Sequence, residues 1–332
     1  MENKKVIILA LLIIGLVLVS GCLGKPATES KPTGAFVGGS KGLVLTFQPN
    51  APPSEYPECT KFDVTVKVEN KGESPVAVGK ADIILGGIAA SAFGVDNAKL
   101  QNKANLTEVQ KFGKEVTPGG AEFVTFSANS GSRNLPGDSP PQKITATACY
   151  PYQTTALSTV CIKDSLAKQT TGGAELCKIT GDKTVFSSGA PVQVTSVTQF
   201  PRGANPITGL TFNIKVKNAG GGTPYVGEQS EQCPSPSLSA GDRVAVSAKL
   251  VNIDDATVEC TPSPVVLSSG EGFTSCNADL SKSKQFVAGK GIPGEFEDIL
   301  EVKLDYGYTQ GVQTQMTFQN IYPGDTCPAT SA

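Results

Sequence analysis

The chain has 332 residues, 28 basic and 30 acidic side chains, a formal net charge of −2, and no histidine or tryptophan. Near-neutral charge without a Lys/Arg cluster argues against nucleic acid as a partner. The missing histidine removes Ser-His-Asp and Cys-His nucleophile systems, His-based zinc sites and the commonest general base near neutral pH.

The N-terminus is built for export. Lys4 and Lys5 precede an uncharged apolar run from Val6 to Val19, followed by Val19-Ser20-Gly21-Cys22. A 14-residue apolar run suits a signal-peptide core and is short for a spanning helix, which needs about 20 residues. Ser20 and Gly21 let the backbone lie extended in a peptidase cleft just before a cysteine. This arrangement resembles the lipobox of bacterial and archaeal lipoproteins, with Val19 in place of the usual leucine. The resemblance implies that residues 1–21 are a signal peptide and that Cys22 carries the lipid. The competing reading is an uncleaved helix from Val6 to Leu23; both place the rest of the chain outside the membrane. Residues 22–40, rich in Gly, Pro, Ser and Thr, bury too little apolar surface to order themselves and read as a flexible stalk.

With 36 glycines, 23 prolines and 17% charged residues, the remainder reads as all-β with many turns. Removing Glu2, Lys4 and Lys5 takes the net charge from −2 to −3. Of nine cysteines, Cys22 is consumed by the lipid, leaving Cys59, Cys149, Cys161, Cys177, Cys233, Cys260, Cys276 and Cys327. An even set in an exported chain predicts four disulfides. No CxxC pair and no histidine argue against metal, and no cofactor is expected. The expected pairing keeps each bond within one half: Cys59–Cys149, Cys161–Cys177, Cys260–Cys276 and Cys233–Cys327. A rival for the first half joins Cys149 to Cys161 and Cys59 to Cys177.

The chain then matches itself. Phe62-Asp-Val-Thr-Val-Lys-Val-Glu-Asn70-Lys-Gly72 parallels Leu210-Thr-Phe-Asn-Ile-Lys-Val-Lys-Asn218-Ala-Gly220, 148 residues later. Leu135-Pro-Gly-Asp138 parallels Ile292-Pro-Gly-Glu295. Ile144 to Tyr152 parallels Leu300 to Tyr308 at an offset of 156. Three matches in one order indicate two copies of one unit, at 41–165 and 179–332, joined by a linker at 166–178.

Phe62, Val64, Val66 and Val68 alternate with polar residues, the period of a strand buried on one face. Asn70-Lys-Gly72 and Asn218-Ala-Gly220 then supply residues tolerant of positive φ for a turn. Leu300 to Tyr306 alternates up to Thr309-Gln310-Gly311, and Val312 to Phe318 alternates back, predicting a hairpin. Asn97 to Val109 is the one stretch with any helical periodicity. The fold expected is two tandem Ig-like β-sandwiches of about seven strands each. The stretch Val-Glu-Asn-Lys-Gly-Glu-Ser-Pro-Val (68–76) and its echo at 216–226 resemble the start of a CARDB-like domain. These immunoglobulin-like modules of archaeal and bacterial surface proteins serve as spacers, adhesion units and display platforms.

Chemistry is sparse. The densest acidic group, Glu295, Glu297, Asp298 and Glu301, reads as a solvated strand edge in preference to a calcium site, lacking DxDxDG spacing. Asp254 and Asp255, adjacent on a strand, would face opposite ways. Gly220-Gly221-Gly222 reads as a turn and not a phosphate cradle. Asn105-Leu-Thr107 is a glycosylation sequon. Tyr150, Tyr152, Tyr306 and Tyr308 recur at matching strand ends, and core packing is favoured over an aromatic binding edge.

The expectation is a non-catalytic lipoprotein at the outer face of the membrane, held by lipid on Cys22. It binds a protein or glycan partner, adheres, or builds the envelope. The alternative is an accessory or substrate-capturing subunit of a membrane complex or transporter.

Overall fold

The computed structural model describes residues 34–87, 93–95, 98–129, 138–166, 176–226, 233, 241–253, 255–281, 283 and 294–321. The expected signal peptide, Cys22, most of the expected stalk, Cys327 and most of the expected 166–178 linker lie outside them. Residues 35–332 form one compact unit.

Every element with a described range is a strand. In the first half these are β1 (Leu43–Phe47), β2 (Glu55–Pro57), β3 (Lys61–Asn70), β4 (Asp82–Gly86), β5 (Lys99–Gln101), β6 (Gln110–Phe112), β7 (Glu115–Thr117), β8 (Ala121–Asn129) and β9 (Gln142–Lys163). The second half has β10 (Gly181–Lys183), β11 (Val185–Ser187), β12 (Val192–Gly203), β13 (Ile207–Asn218), β14 (Thr223–Tyr225) and β15 (Arg243–Leu250). It ends with β16 (Thr257–Thr261), β17 (Val265–Val266), β18 (Glu271–Asp279) and β19 (Glu295–Gln319). Part of the stretch with helical periodicity, Lys99–Gln101, is strand β5.

Period-two alternation sets the burial. On β3, Phe62, Val64, Val66 and Val68 are buried while Lys61 and Asp63 are exposed. On β13, Leu210, Phe212, Ile214 and Val216 are fully buried. Each such side chain contributes about 1.5–3 kcal/mol by leaving water. β1-β3-β8 form one sheet, and β10-β12-β13-β18-β16 form its wider counterpart from the second half. β3 thus occupies the place of β13, and β8 that of β18.

The largest sheet joins the halves. Its order is β17-β15-β19-β9-β4-β5, with β11, β14 and β2 attached. β9 pairs antiparallel with β19 over all of its 22 residues, from Gln142↔Met316 to Lys163↔Glu295. Pro151 lies opposite Gly307, and these two positions are related by the same 156-residue offset as the repeat. The pair therefore sits on a pseudo-twofold axis, and the repeated units meet along one seam.

The hairpin expected at Thr309–Gly311 is not formed. β19 runs straight through, with Gln310 opposite Ala148 and Gly311 opposite Thr147. The inward residues Leu300, Val302, Leu304, Tyr306, Tyr308, Met316 and Phe318 all have even numbers, so one strand satisfies the whole pattern.

Candidate functional site

The most organised cluster of polar side chains lies on this axis. Tyr150 and Tyr152 of β9 and Tyr306 and Tyr308 of β19 share one face of the seam and are buried. Their rings close a circuit: Tyr150–Tyr152 at 5.5 Å between centroids, Tyr152–Tyr306 at 6.4 Å, Tyr306–Tyr308 at 6.2 Å and Tyr308–Tyr150 at 6.0 Å. These separations fall in the range of favourable tilted aromatic pairs.

Each hydroxyl ties the seam to a flanking sheet, and the ties repeat. Tyr152 donates to Asn70 Oδ1 (2.9 Å), and Tyr308 donates to Asn218 Oδ1 (3.1 Å). Asn70 Nδ2 donates to the Ser74 carbonyl, and Asn218 Nδ2 to the Gly222 carbonyl, both at 2.8 Å. The Leu43 amide of β1 donates to Tyr150 Oη at 3.1 Å, and the Val192 amide of β12 to Tyr306 Oη at 3.3 Å. Thr154 gives its only proton to the Val192 carbonyl (2.6 Å), so at 2.9 Å Tyr306 is the donor to Thr154 Oγ1.

The glycines after these asparagines serve a purpose other than the one read from sequence. Neither Gly72 nor Gly220 has positive φ. A Cβ on Gly72 would instead run into the Tyr152 hydroxyl, and one on Gly220 into the Tyr308 hydroxyl. Gly222 donates its amide to that same Tyr308 hydroxyl at 2.8 Å. The triple glycine is thus a turn wrapped around a buried phenol.

Burial raises the pKa of Tyr150, Tyr152 and Tyr306 well above the ordinary phenol value, and that of Tyr308 more mildly. Neutral and shielded, the hydroxyls of Tyr150, Tyr152 and Tyr308 pin each seam strand to the flanking sheet of its own repeat, while that of Tyr306 also crosses to Thr154 of the other repeat; none is placed to exchange protons with a substrate. Core packing is the correct reading of all four.

Alternation turns the odd-numbered residues of the seam to its other face. There Tyr225 lies against Gly307, where any Cβ would strike its ring. Desolvation pushes the Tyr225 phenol up to about 12. Cys149 is on the same face and is bonded to Cys233, 84 residues away.

That bond corrects the expected pairing. Cys161–Cys177 and Cys260–Cys276 form as anticipated. Cys59–Cys149 and Cys233–Cys327 do not, because Cys149 is bonded to Cys233; nor do the rival pairs Cys149–Cys161 and Cys59–Cys177. The reason is geometric. β2, just before Cys59, runs beside β19 at Thr317–Gln319, whereas Cys149 sits opposite Thr309. Ten residues of strand separate these points, roughly 33 Å, against the 7 Å limit between bridged Cα atoms. Cys59 is also disulfide-bonded, to a partner outside the described residues.

The acidic group does not converge. Glu295 pairs with Lys163 at 3.2 Å and accepts the Cys177 amide at 2.7 Å, which lowers its pKa. Glu301 lies 3.4 Å from Lys249. Asp298 is buried, with Oδ1 accepting from the Asn252 amide, Asn252 Nδ2 and the Ile299 amide. Cys161, Cys177 and Glu295 cluster within 4.8 Å, but both sulfurs are spent on the disulfide and offer no thiolate. Asp255 accepts from Ser283 at 2.7 Å, and Asp254 lies outside the described residues. Asn105 is exposed, with its Oδ1 held by the Val78 amide at 3.1 Å.

Two depressions among the described residues are open to solvent. One of 730 Å³ is lined by Val78, Gly79 and Lys99–Lys103, and one of 550 Å³ by Tyr56, Lys61, Phe62, Asp63, Gly94 and Ser127–Asn129. In the second, Asp63 is already bonded to Ser127 at 2.8 Å.

No protein-family model matches the chain, and no curated protein matches it either. Among solved structures it is similar to the secreted serine protease VesC from Vibrio cholerae, at 10% identity and a TM-score of 0.19. The match covers 84% of this chain and 52% of that one, so the chain spans about half the length of that protein. A likeness at this score carries no argument about fold or activity.

Proposed function

We propose that this protein is a non-catalytic surface lipoprotein. Its two CARDB-like, immunoglobulin-like halves form a β-rich head tethered to the outer face of the membrane through lipid on Cys22. The reading rests on cysteine parity. Seven of the eight cysteines assigned to disulfides are oxidised, as expected of an extracytoplasmic chain, while Cys22 follows a signal-peptide pattern. A display or adhesion role is supported by the solvent faces of the flanking sheets. Phe123 on β8 and Phe273 on β18 are 61% and 65% exposed. They stand opposite Lys67 and Lys215, which match across the repeat. Both copies therefore present an aromatic ring beside a cation, a pairing suited to contact with another molecule.

The test is substitution of Cys22 by Ala in the full-length chain. The expected outcome is loss of lipid attachment and of N-terminal processing, the apolar run Val6–Val19 staying on the chain, with the disulfide pattern unchanged. Unaltered processing and retention would refute the anchor.

A further inference from the structure

The two flanking sheets differ at one edge. In the second half, β18 is covered by β16, in register from Thr257↔Asp279 to Thr261↔Ser275. In the first half, among the described residues, the equivalent strand β8 pairs with β3 alone. The nearby loop reaches only its beginning, where Lys103 and Ala104 donate their amides to Glu122 and Gly120 donates to the Thr107 carbonyl. From Phe123 to Ala128 the outer edge bonds to no described residue. Alternate residues there turn both N–H and C=O to the open side.

Such edges are ordinarily blunted by lysine, proline or a bulge. β8 reads Ala-Glu-Phe-Val-Thr-Phe-Ser-Ala-Asn, with neither residue, and its register with β3 is unbroken over nine pairs. We propose that this edge is an interface between two copies of the chain: β8 pairs antiparallel with β8 of a second molecule about a twofold axis at Thr125, producing a six-stranded sheet.

Charge fixes that register. With Thr125 opposite Thr125 of the second copy, Phe123 faces Ser127. Extending that row to β3 through the observed register places Lys67 at one end and Asp63 of the second copy at the other. That charged row ends in opposite signs. Sliding the axis to Phe126 would put Lys67 and Lys61 in one row, and sliding it to Ser127 would align Asp63 with its own copy. On the inner face Val124 meets Phe126, an apolar cross-strand pair. Glu122, the one charge on β8, faces Ala128.

The experiment uses the full-length chain in detergent, with oligomeric state read by sedimentation. Wild type is expected to dimerise in the micromolar range. Thr125 is exposed, so Thr125→Lys is compatible with the monomer fold, but in the dimer it sets two ammonium groups face to face. It should weaken association about tenfold or more, while the melting temperature measured well below the dimerisation range stays close to that of wild type, the exposed Thr65–Thr125 hydroxyl contact being the one bond lost. Thr125→Glu should do the same, and an equimolar mixture of the two variants should restore the dimer. Thr125→Cys should form an intermolecular disulfide, since paired Cα atoms in such a ladder lie about 4.5–5.5 Å apart, whereas Thr46→Cys on β1 should not. A wild-type monomer throughout that range would overturn the proposal. So would a dimer indifferent to both charge substitutions, or a β8 edge filled by a different protein.

Discussion

Raising the pH should open the seam between the repeats. Tyr150, Tyr152 and Tyr306 have folded-state pKa values raised well above 10 by burial. In the unfolded chain they titrate near 10. Their contribution to stability is therefore complete below pH 10 and is lost as the pH climbs from 10 toward the folded values. At pH 11 each costs the folded state about 1.4 kcal/mol relative to the unfolded one, and at pH 12 about 2.7 kcal/mol. The three together remove about 4 and then about 8 kcal/mol, with Tyr308 and Tyr225 adding in the same direction. A domain typically has 5–15 kcal/mol in total, so a stability in the lower half of that range is exhausted between pH 11 and 12. The assay is a pH titration recording tyrosinate absorbance and far-ultraviolet circular dichroism together. The two signals should change in one steep, coincident step, and Tyr306→Phe should reduce the pH slope of stability by about 1.4 kcal/mol per unit. A gradual tyrosinate signal centred near pH 10, with the β signal intact, would refute the buried tetrad.

The other expectations concern particular bonds. Asn218→Ala removes the acceptor of Tyr308 and of the Gly220 amide, and should cost about 2–4 kcal/mol by urea unfolding; Asn70→Ala, fully buried, should cost at least as much. Cys149→Ala with Cys233→Ala opens an 84-residue span and should cost about 4.5 kcal/mol in the chain-entropy model, while peptide mapping of the wild type should recover Cys149 linked to Cys233. Gly307→Ala drives a methyl into the Tyr225 ring and should lose about 1–3 kcal/mol, partly recovered by adding Tyr225→Leu; equal destabilisation with and without that second change would show that the contact does not matter.

Much of the fold was legible because alternation is a local signal. Phe62 to Val68 and Leu210 to Val216 declare their buried faces within seven residues, and the repeat declares that β3 and β13 are the same strand twice. The seam was not legible, because pairing between β9 and β19 joins residues more than 130 positions apart and leaves no mark in either stretch. Misplacing it misplaced two disulfides, since Cys149 was assigned to its own half. The turn assigned to Thr309–Gly311 failed because a glycine in a polar triplet looks the same in a turn and in a strand whose partner continues. The unbroken even-numbered parity from Leu300 to Phe318 was the available clue. Gly72 and Gly220 were recognised as special, but the reason, a phenol arriving from a distant strand, lies outside local sequence.

The seam also dictates an order of assembly. β9 is complete at residue 163, yet its partner begins at residue 295, and β2 near the start of the head waits for Thr317–Gln319 at the end of β19. During synthesis the first half must stand with a 22-residue strand unpaired along one edge until the last strand arrives. Contacts of such long range close slowly, and open strands of that length invite association with other chains. A chain cut after residue 165 should therefore aggregate instead of folding as a smaller head. Folding of the complete chain therefore depends on both halves staying soluble until the final strand closes the sheet.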